Sequence, residues 1–578
     1  MEKPFSGFGF SKASRHGQFA SKLPMFLALF SLLFGLSWFR FVEHTTAAVK
    51  PNRPHAVAFQ CVNNPLVSNN ADDGAGSLRN AVVTACAGTK ITFTAGVISP
   101  ITLASELTID KNLTIQGPGA SSLTVRSNHA MRVFKIASGN FNVTISGLTI
   151  SNGQAAEGGG LANNSTGNVA ITSCTFTSNS AGGSGGGILN NGTGSVTVTD
   201  TTLSGNSAAD GGAIANTNTG TVSVTNSTLS GNTATGSGGG VSNVIGTINL
   251  TTSTLSRNSS VAGGGINNSD GISTLINCTL AVNSVSTSGG AIANNGNGTV
   301  NLINDTLAFN TAITGGSGIF NNSSGTVSVK NTIAAGNAPL NIPDVSGVFN
   351  SQGYNLIGKG DGSTGFTNGI NHDQVGSIAS PVDPLLAALA NNGGSAQTLA
   401  PLPYSPVVDA GTNVGAPTTD QRGVARPQGV AFDIGAFEVR EFVVTNINSN
   451  GAGSFLQAVL DANATLGPDR ITFATTGTIN LTGGTGTPRI TEGVHIINSA
   501  GPVGLIINLN GGGNNAIKIG PLNSRDPAFT VAIDGLTFSS TVVNLSSGGV
   551  GAGAINNSVN LTLNRCIVTD VVTNCGSC

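Results

Sequence analysis

Along most of the chain, Val, Ile, Leu and Phe alternate with Thr, Ser and Asn in short blocks. That is the two-residue period of strands with one buried face, and no stretch between the blocks sustains a helical period. The blocks recur. A Gly-Gly-x-apolar marker ends at Leu161, Ile188, Ile214, Val241, Ile266, Ile292 and Ile319, so successive intervals are 27, 26, 27, 25, 26 and 27 residues. Two residues after each marker stands an asparagine: Asn163, Asn190, Asn216, Asn243, Asn268, Asn294 and Asn321. A second asparagine column follows a Thr-Leu-Ser type strand, at Asn179, Asn206, Asn232, Asn258, Asn283, Asn310 and Asn337. One unit reads GGGI-x-N, a turn, then V-x-V-x-N-x-T-L-S-G-N. A hairpin meander would need a polar turn at every reversal and would not hold identical residues in register at this period. A solenoid does, because each turn stacks its Leu on the Leu below and its Asn on the Asn below. The pattern predicts an all-β chain forming a right-handed parallel β-helix with coils of about 26 residues. At roughly 4.8 Å per coil, the six intervals make a rod of roughly 29 Å. The asparagine columns are expected inside, each side chain hydrogen-bonded to its copies above and below. Glycine before the strand permits a tight corner at positive φ.

The ends differ from the middle. Val67 to Phe93 carries a short expected helix, around Leu78 to Ala85, suited to be an N-terminal cap over the apolar cross-section. The segment recurs at Val444 to Phe473: Gly74 aligns with Gly451, Leu78 with Phe455 and Ala81 with Ala458, each 377 residues apart. Ile533 to Ser539 then echoes Ile145 to Ser151, and the block ending at Cys566 echoes the one ending at Cys174. The second copy thus reaches its first regular coil and reads as a truncated β-helix start. Residues 340–440, rich in Pro, read as a C-terminal capping region of the first helix. The expected organisation is 1–48 signal or anchor, 61–140 N-terminal cap and first irregular coils, 141–339 regular coils, 340–440 capping region, and 441–578 a second, incomplete β-helix.

Composition narrows the classes. Glycine is 82 of 578 residues and charged residues are only 9%, yet β-branched residues run throughout, which argues against disorder. The glycines keep no three-residue period, which excludes collagen. Twenty-four basic against 26 acidic residues leave a net charge of −2, with no electrostatic footprint for nucleic acid. Met25 to Trp38 is an apolar run preceded by Lys3, Lys12, Arg15 and Lys22, and Ala47 and Ala48 offer a cleavage site. This describes a secretory signal. The run is short for a span of about 20 residues, but the long leader keeps an uncleaved anchor as the alternative. Either places the body of the chain outside the cytoplasm, at the cell surface or beyond it. Among the seven cysteines, Cys61 and Cys86 are the expected disulfide. Cys174 and Cys278 share a column with Thr201, Ser227 and Ser253, facing inward. Four coils, about 19 Å, separate them, too far for a bridge. Cys575 and Cys578 read as an exposed terminal pair.

Three segments together carry a family resemblance: GSLRNAV, the GGGI/STLSGN coils, and the ending SPVVDAGTN…TDQRGVARP…DIGAFEV. They resemble bacterial exported β-helix proteins of the pectin-lyase-like class. The ending is similar to choice-of-anchor Q proteins, which overlap with polymorphic outer-membrane protein repeats. The resemblance covers Cys61 to Val439 and implies a surface or secreted protein held by a C-terminal device. After Val439 the chain departs from that pattern, with neither a barrel-like strand series nor a sorting motif.

The pectin-lyase-like shape also hosts polysaccharide lyases and glycoside hydrolases. A hydrolase needs two carboxylates about 5–9.5 Å apart, and a lyase needs a base with acidic residues holding Ca²⁺. The acids of Phe141 to Asn337 are Glu157, Asp200, Asp210, Asp270 and Asp305. Asp200 and Asp305 lie four coils apart and one position out of column. Glu157 and Asp210 share a column two coils apart, about 10 Å. Arg257 and Lys330 stand alone. His372 and Asp373 are neighbours without a visible nucleophile, and are expected as loop decoration. Asp420, Arg422, Arg426, Asp433 and Glu438 are expected as a salt-bridged structural group within the capping region. Asn-x-Ser/Thr sequons follow from the composition. No residue is therefore assigned as catalytic, cofactor-binding or metal-binding, and no cofactor is expected. The reading is an exported, non-enzymatic, adhesin-like β-helical protein whose partners are glycans or surface proteins, with membrane contact through an uncleaved N-terminal segment at most. The alternative is a lyase or hydrolase of the same fold.

Overall fold

The computed structural model describes residues 60–128, 131–322, 324–481, 488–508, 517–520, 529–539, 555–557 and 559–569. The apolar run Met25 to Trp38, Ala47, Ala48, Cys575 and Cys578 lie outside them. The chain is a parallel β-solenoid. Its first stack runs on long sheets of 12, 11 and 12 strands with a shorter sheet of six, and a second stack carries sheets of five, four and three strands. In one coil the marker strand is Ile188–Asn190, the long strand Ser195–Thr199, the Thr-Leu-Ser strand Thr202–Ser204 and the short strand Ser207–Ala208. The register is the one the repeat dictates: Leu161, Ile188, Ile214, Val241, Ile266, Ile292 and Ile319 are successive partners. Inward residues such as Ile188, Val196, Val198 and Leu203 are fully buried in one continuous core.

Three polar columns thread that core. In the first, each asparagine Nδ2 donates to the Oδ1 of the next coil, from Asn163 to Asn321, at 2.8–3.1 Å. In the second, the backbone N–H and Nδ2 of Asn232 both donate to Asn258 Oδ1, at 3.0 and 2.9 Å, and the same pairing runs from Asn179 to Asn337. The third column includes Cys174, Thr201, Ser227, Ser253, Cys278 and Asp305; the N–H of Cys174 donates to Thr201 Oγ1, and that of Thr201 to Ser227 Oγ. Cys174 and Cys278 are buried free thiols, and burial pushes the Cys174 thiol up to about 11. Cys61 and Cys86 are joined, with Cα atoms 4.8 Å apart.

Two columns end on carboxylates. The N–H and Nδ2 of Asn337 donate to Asp344 Oδ1, and those of Asn355 donate to Asp373 Oδ1. A carboxylate accepts without having to donate onward, which suits the last position of a donor chain.

The corner follows from the Gly-Gly marker. Gly211 holds φ +67, and a Cβ on Gly212 would sit 2.4 Å from the Gly239 carbonyl oxygen. A second bend falls between the long and the Thr-Leu-Ser strands, where Asp200, Asn226, Asn277, Asn304 and Asn331 hold φ of +46 to +55. Asn and Asp tolerate that left-handed conformation best among residues with a Cβ.

Helices form at Leu78–Thr84 and Phe455–Asn463. Ser77 and Ser454 cap them alike, their side chains accepting from the N–H groups of Asn80 and Gln457. Leu78, Ala81 and Val82 join the first core, and Phe455, Ala458 and Val459 the second.

The block expected as an end cap takes another position. Val345–Val348, Leu356–Ile357 and Gly362–Thr364 continue the coils. The Pro-rich remainder lies along the outer face of the Thr-Leu-Ser sheet. Leu386, Leu399, Val407 and Ile434 pack there against Ala281, Ala308, Ile333 and Ala335. Gln421 bridges Thr254 and Thr279 at 2.8 and 2.6 Å, and Asn277 Nδ2 donates to the Thr419 carbonyl at 2.8 Å. The physical reason is apolar surface: from Ala281 onward the outward position of this sheet is alanine instead of serine, so the face itself needs a cover. Gly435 allows the closest approach. It holds φ +99, and a Cβ there would meet Ile333 Cδ1 and Thr306 Oγ1 at 2.7 Å. Gly435→Ala is expected to destabilise the docked segment by about 2 kcal/mol, the ordinary effect of overpacking. A drop in hydrogen-exchange protection at Ala436 would show it, and unchanged protection would contradict it.

Candidate functional site

The acids of the regular coils do not converge. Asp305 is fully buried and accepts from the N–H groups of Cys278 and Ile303 at 2.7 and 2.9 Å, while Asp200 is exposed at its left-handed bend. Asp210 Oδ1 accepts from the Ser237 N–H at 2.8 Å, on the coil that lies farther from Glu157. Glu157 is exposed, and its side chain borders Gly183 one coil on. Each carboxyl therefore borders the coil after its own, which leaves the two of them two coils apart. Asp270 Oδ1 is taken by the N–H and Nδ2 of Asn297. Among the described residues, no three His, Cys, Asp or Glu side chains cluster in a metal-holding arrangement.

His372 and Asp373 part ways as well. His372 is exposed and stacks on Tyr354 with ring centroids 4.5 Å apart, whereas Asp373 is buried and accepts from Ser351 Oγ at 2.6 Å. Its carboxyl serves the polar column.

The five charged residues of the Pro-rich segment do come together, inside it. Arg422 donates Nε–H to Asp420 at 2.8 Å and lies 3.4 Å over the Phe437 ring. Arg426 donates to Glu438 Oε2 at 2.9 Å and to the carbonyls of Asp433 and Gly435 at 2.9 and 2.7 Å. Asp420, Asp433 and Glu438 are 0, 2 and 0% exposed. Burial pushes the Asp433 and Glu438 carboxyls up, and each one's neighbouring charges modify that. With its carboxylates also accepting from the N–H groups of Val424, Gln428 and Val439, this network fixes backbone.

One cavity, of about 250 Å³, lies between the Pro-rich segment and the second stack. Tyr404, Asp469, Arg470 and His495 line it, residues that composition and spacing did not single out. The available signal was the duplication. In the first copy the register places Thr89, Lys90 and Thr114 where the second has Asp469, Arg470 and His495.

The buried carboxyls set a pH dependence. Burial pushes Asp469 up to about 7 and Asp344 up to about 6, the latter despite Lys359. Each binds its proton more tightly folded than unfolded, so its stabilising contribution is complete below about pH 4 and is lost as pH rises through the folded value. His495, pushed down to about 4 by burial and then by Arg470, works oppositely: its contribution is complete above 6.5 and lost as pH falls. With the carboxyls in the majority, stability is expected to fall by about 1–2 kcal/mol from pH 4.5 to 7. Denaturant midpoints measured across that window check it, and a rise would contradict the assignment.

No protein-family model matches the sequence, and no curated protein matches it. Among solved structures, a pectate lyase, Pel9A, is similar at 16% identity and a TM-score of 0.41, over 65% of this chain and 97% of that one. An alginate lyase, AlyGC, is similar at 10% identity and a TM-score of 0.24, over 88% of this chain and 77% of that one. Likeness at these levels carries no assignment of substrate or chemistry.

Proposed function

We propose that this chain is an exported, non-enzymatic β-helical rod that binds neutral glycan or another surface through the outer face of its long-strand sheet. The observation that carries the reading is the array on that face. Ser195, Thr197 and Thr199 lie in register over Thr221, Ser223 and Thr225, and these over Thr247, Asn249 and Thr251. Their side chains point away from the buried Val196, Val198, Val222, Val224, Ile248 and Leu250. No charged residue interrupts these three rows. Hydroxyls and amides repeated every coil offer many weak, equivalent hydrogen bonds, and binding by such a face grows by avidity. Export rests on the Met25 to Trp38 segment, and the Leu78–Thr84 helix is read as the N-terminal cap of the rod.

Co-sedimentation of the chain with insoluble neutral polysaccharides tests the reading. The double variant Thr197→Glu, Asn249→Glu places two carboxylates on the face without touching the core. It is expected to weaken binding at least about tenfold, or about 1.4 kcal/mol, with an unchanged melting curve. Binding that the variant leaves intact would overturn the assignment to this face.

A further inference from the structure

The asparagine column that starts at Asn179 ends on two residues of opposite charge. Asp344 Oδ1 takes the place of the next asparagine oxygen, accepting from the N–H and Nδ2 of Asn337 at 3.0 and 2.9 Å. Lys359 lies on the next coil, two residues past Ile357, whose register partner is Ala334. Its Nζ donates to the carbonyls of Asn337 and Pro339 at 2.8 and 3.0 Å and lies 4.0 Å from Asp344 Oδ1. The backbone ties the two together as well, since the Asp344 N–H donates to the Lys359 carbonyl at 2.9 Å. The Lys359 and Asp344 side chains are 3 and 0% exposed.

A buried ion pair offsets its desolvation only when the remaining lone pairs are hydrogen-bonded. Here one oxygen is not: Asp344 Oδ2 is buried without a hydrogen-bond partner. The two carboxyl oxygens therefore differ in kind. Oδ1 is held by two N–H donors, the arrangement that stabilises negative charge developing on a carbonyl oxygen. Oδ2 is held by none. It lies against Gly358, where a Cβ would come within 2.6 Å of it, so a larger residue beside Lys359 would push the carboxyl away.

Burial favours the uncharged form of each partner. It pushes Asp344 up to about 6, and it lowers Lys359 against the pull of Asp344. The uncharged amine is the nucleophilic form of lysine. Holding amine and carboxyl in one dry site supplies the proximity that an acyl transfer needs.

We propose that Lys359 and Asp344 join in an isopeptide bond. Nζ attacks Cγ, the Cγ–Nζ bond forms and the Cγ–Oδ2 bond breaks. Oδ2 leaves as water with two of the three ammonium protons, so the step needs no oxidant and no co-reactant. The product is an asparagine-like amide extended on its nitrogen. Its Oδ1 still accepts from Asn337, and its remaining N–H faces the carbonyls that Nζ now meets. Both buried charges and the unpaired oxygen disappear, and the column closes on a covalent link between successive coils. The pH dependence given above is that of the open pair; closure takes Asp344 out of it. The proposal is independent of the glycan-binding reading.

Intact-mass measurement of the full chain, purified and held at neutral pH, tests it. The chain is expected to be lighter by one water than its sequence and the Cys61–Cys86 disulfide require. Chymotrypsin cuts after Phe349 and Tyr354, between the two residues. The unfolded, digested protein is therefore expected to yield the Asp344 and Lys359 peptides as one branched product. Lys359→Arg, which keeps the charge without the nucleophile, is expected to show the full mass and separate peptides, as is Asp344→Ala. Full mass in the unsubstituted chain would overturn the proposal, a reading that needs no variant to fold. So would a water lost with the two peptides apart, the mark of a succinimide at an Asp-Gly pair, or a branched product that survives in Lys359→Arg.

Discussion

Replacing Asn258 by Leu lowers the stability of the first stack by about 3–5 kcal/mol, among the larger effects a single substitution produces. Asn258 is fully buried, and the change in volume is small. What is lost is hydrogen bonding. Its Oδ1 accepts from the N–H and Nδ2 of Asn232, and its Nδ2 donates to the Leu229 carbonyl at 2.9 Å and to Asn283 Oδ1 at 3.0 Å. Leucine removes all four bonds in a dry interior: the Asn232 N–H loses its acceptor, while Asn232 Nδ2 keeps only the Leu203 carbonyl and Asn283 Oδ1 only the backbone N–H of position 258, a cost of about 1–3 kcal/mol for each group left unsatisfied, partly offset by the added apolar contact. In a stack where each coil touches only its neighbours, the defect separates the coils before it from those after it. Urea denaturation followed by circular dichroism measures the loss. Asn249→Leu, on the outer face, is the control and stays within about 0.5 kcal/mol. A loss below about 1 kcal/mol at Asn258 would mean the ladder is not the structural element proposed here.

Arg426→Met releases the Pro-rich segment from the flank, at a cost of about 3–5 kcal/mol. The Arg426 side chain is fully buried and neutralises Glu438, with Asp433 beside it. Without the guanidinium, these carboxyls remain buried and uncompensated, and the carbonyls of Asp433 and Gly435 lose their donor. The same stretch carries the contacts to the stack: the Gly435 N–H donates to the Asn331 carbonyl at 2.8 Å, and the Ala436 N–H to Thr306 Oγ1 at 2.9 Å. Its release uncovers Ala281, Ala308 and Ile333. Limited proteolysis is expected to cut within residues 380–440 of the variant while the coils of Leu161 to Ser230 stay protected. Equal resistance in both proteins would place the anchorage elsewhere.

What was legible in the sequence follows from the architecture. In a solenoid, residues one period apart are neighbours in space, so the spacing of Asn163 and Asn190 already states a contact. The inward position of Cys174 and Cys278 came from the same argument. The flank docking was illegible because its bonds join residues far apart and without period, such as Thr254 to Gln397 and Gln421. A trace was present: Ser204, Ser230 and Ser256 give way to Ala281, Ala308 and Ala335 at one register position. Asp305, Asp344 and Asp373 illustrate a different limit. A count of charges cannot distinguish a solvated acid from the acceptor of a buried column, because the difference lies in which face the strand turns inward. The cavity residues Asp469 and His495 stand out only when the two copies are compared position by position.

In the proposed rod, the acids of the described coils and of the Pro-rich segment hold structure and do not cleave glycan. The most direct test incubates the full chain with pectate, alginate and neutral polysaccharides, with and without Ca²⁺, while following unsaturated products and new reducing ends. No product above the buffer control is predicted. Turnover of any substrate, lost in Glu157→Gln or Asp210→Asn, would contradict it.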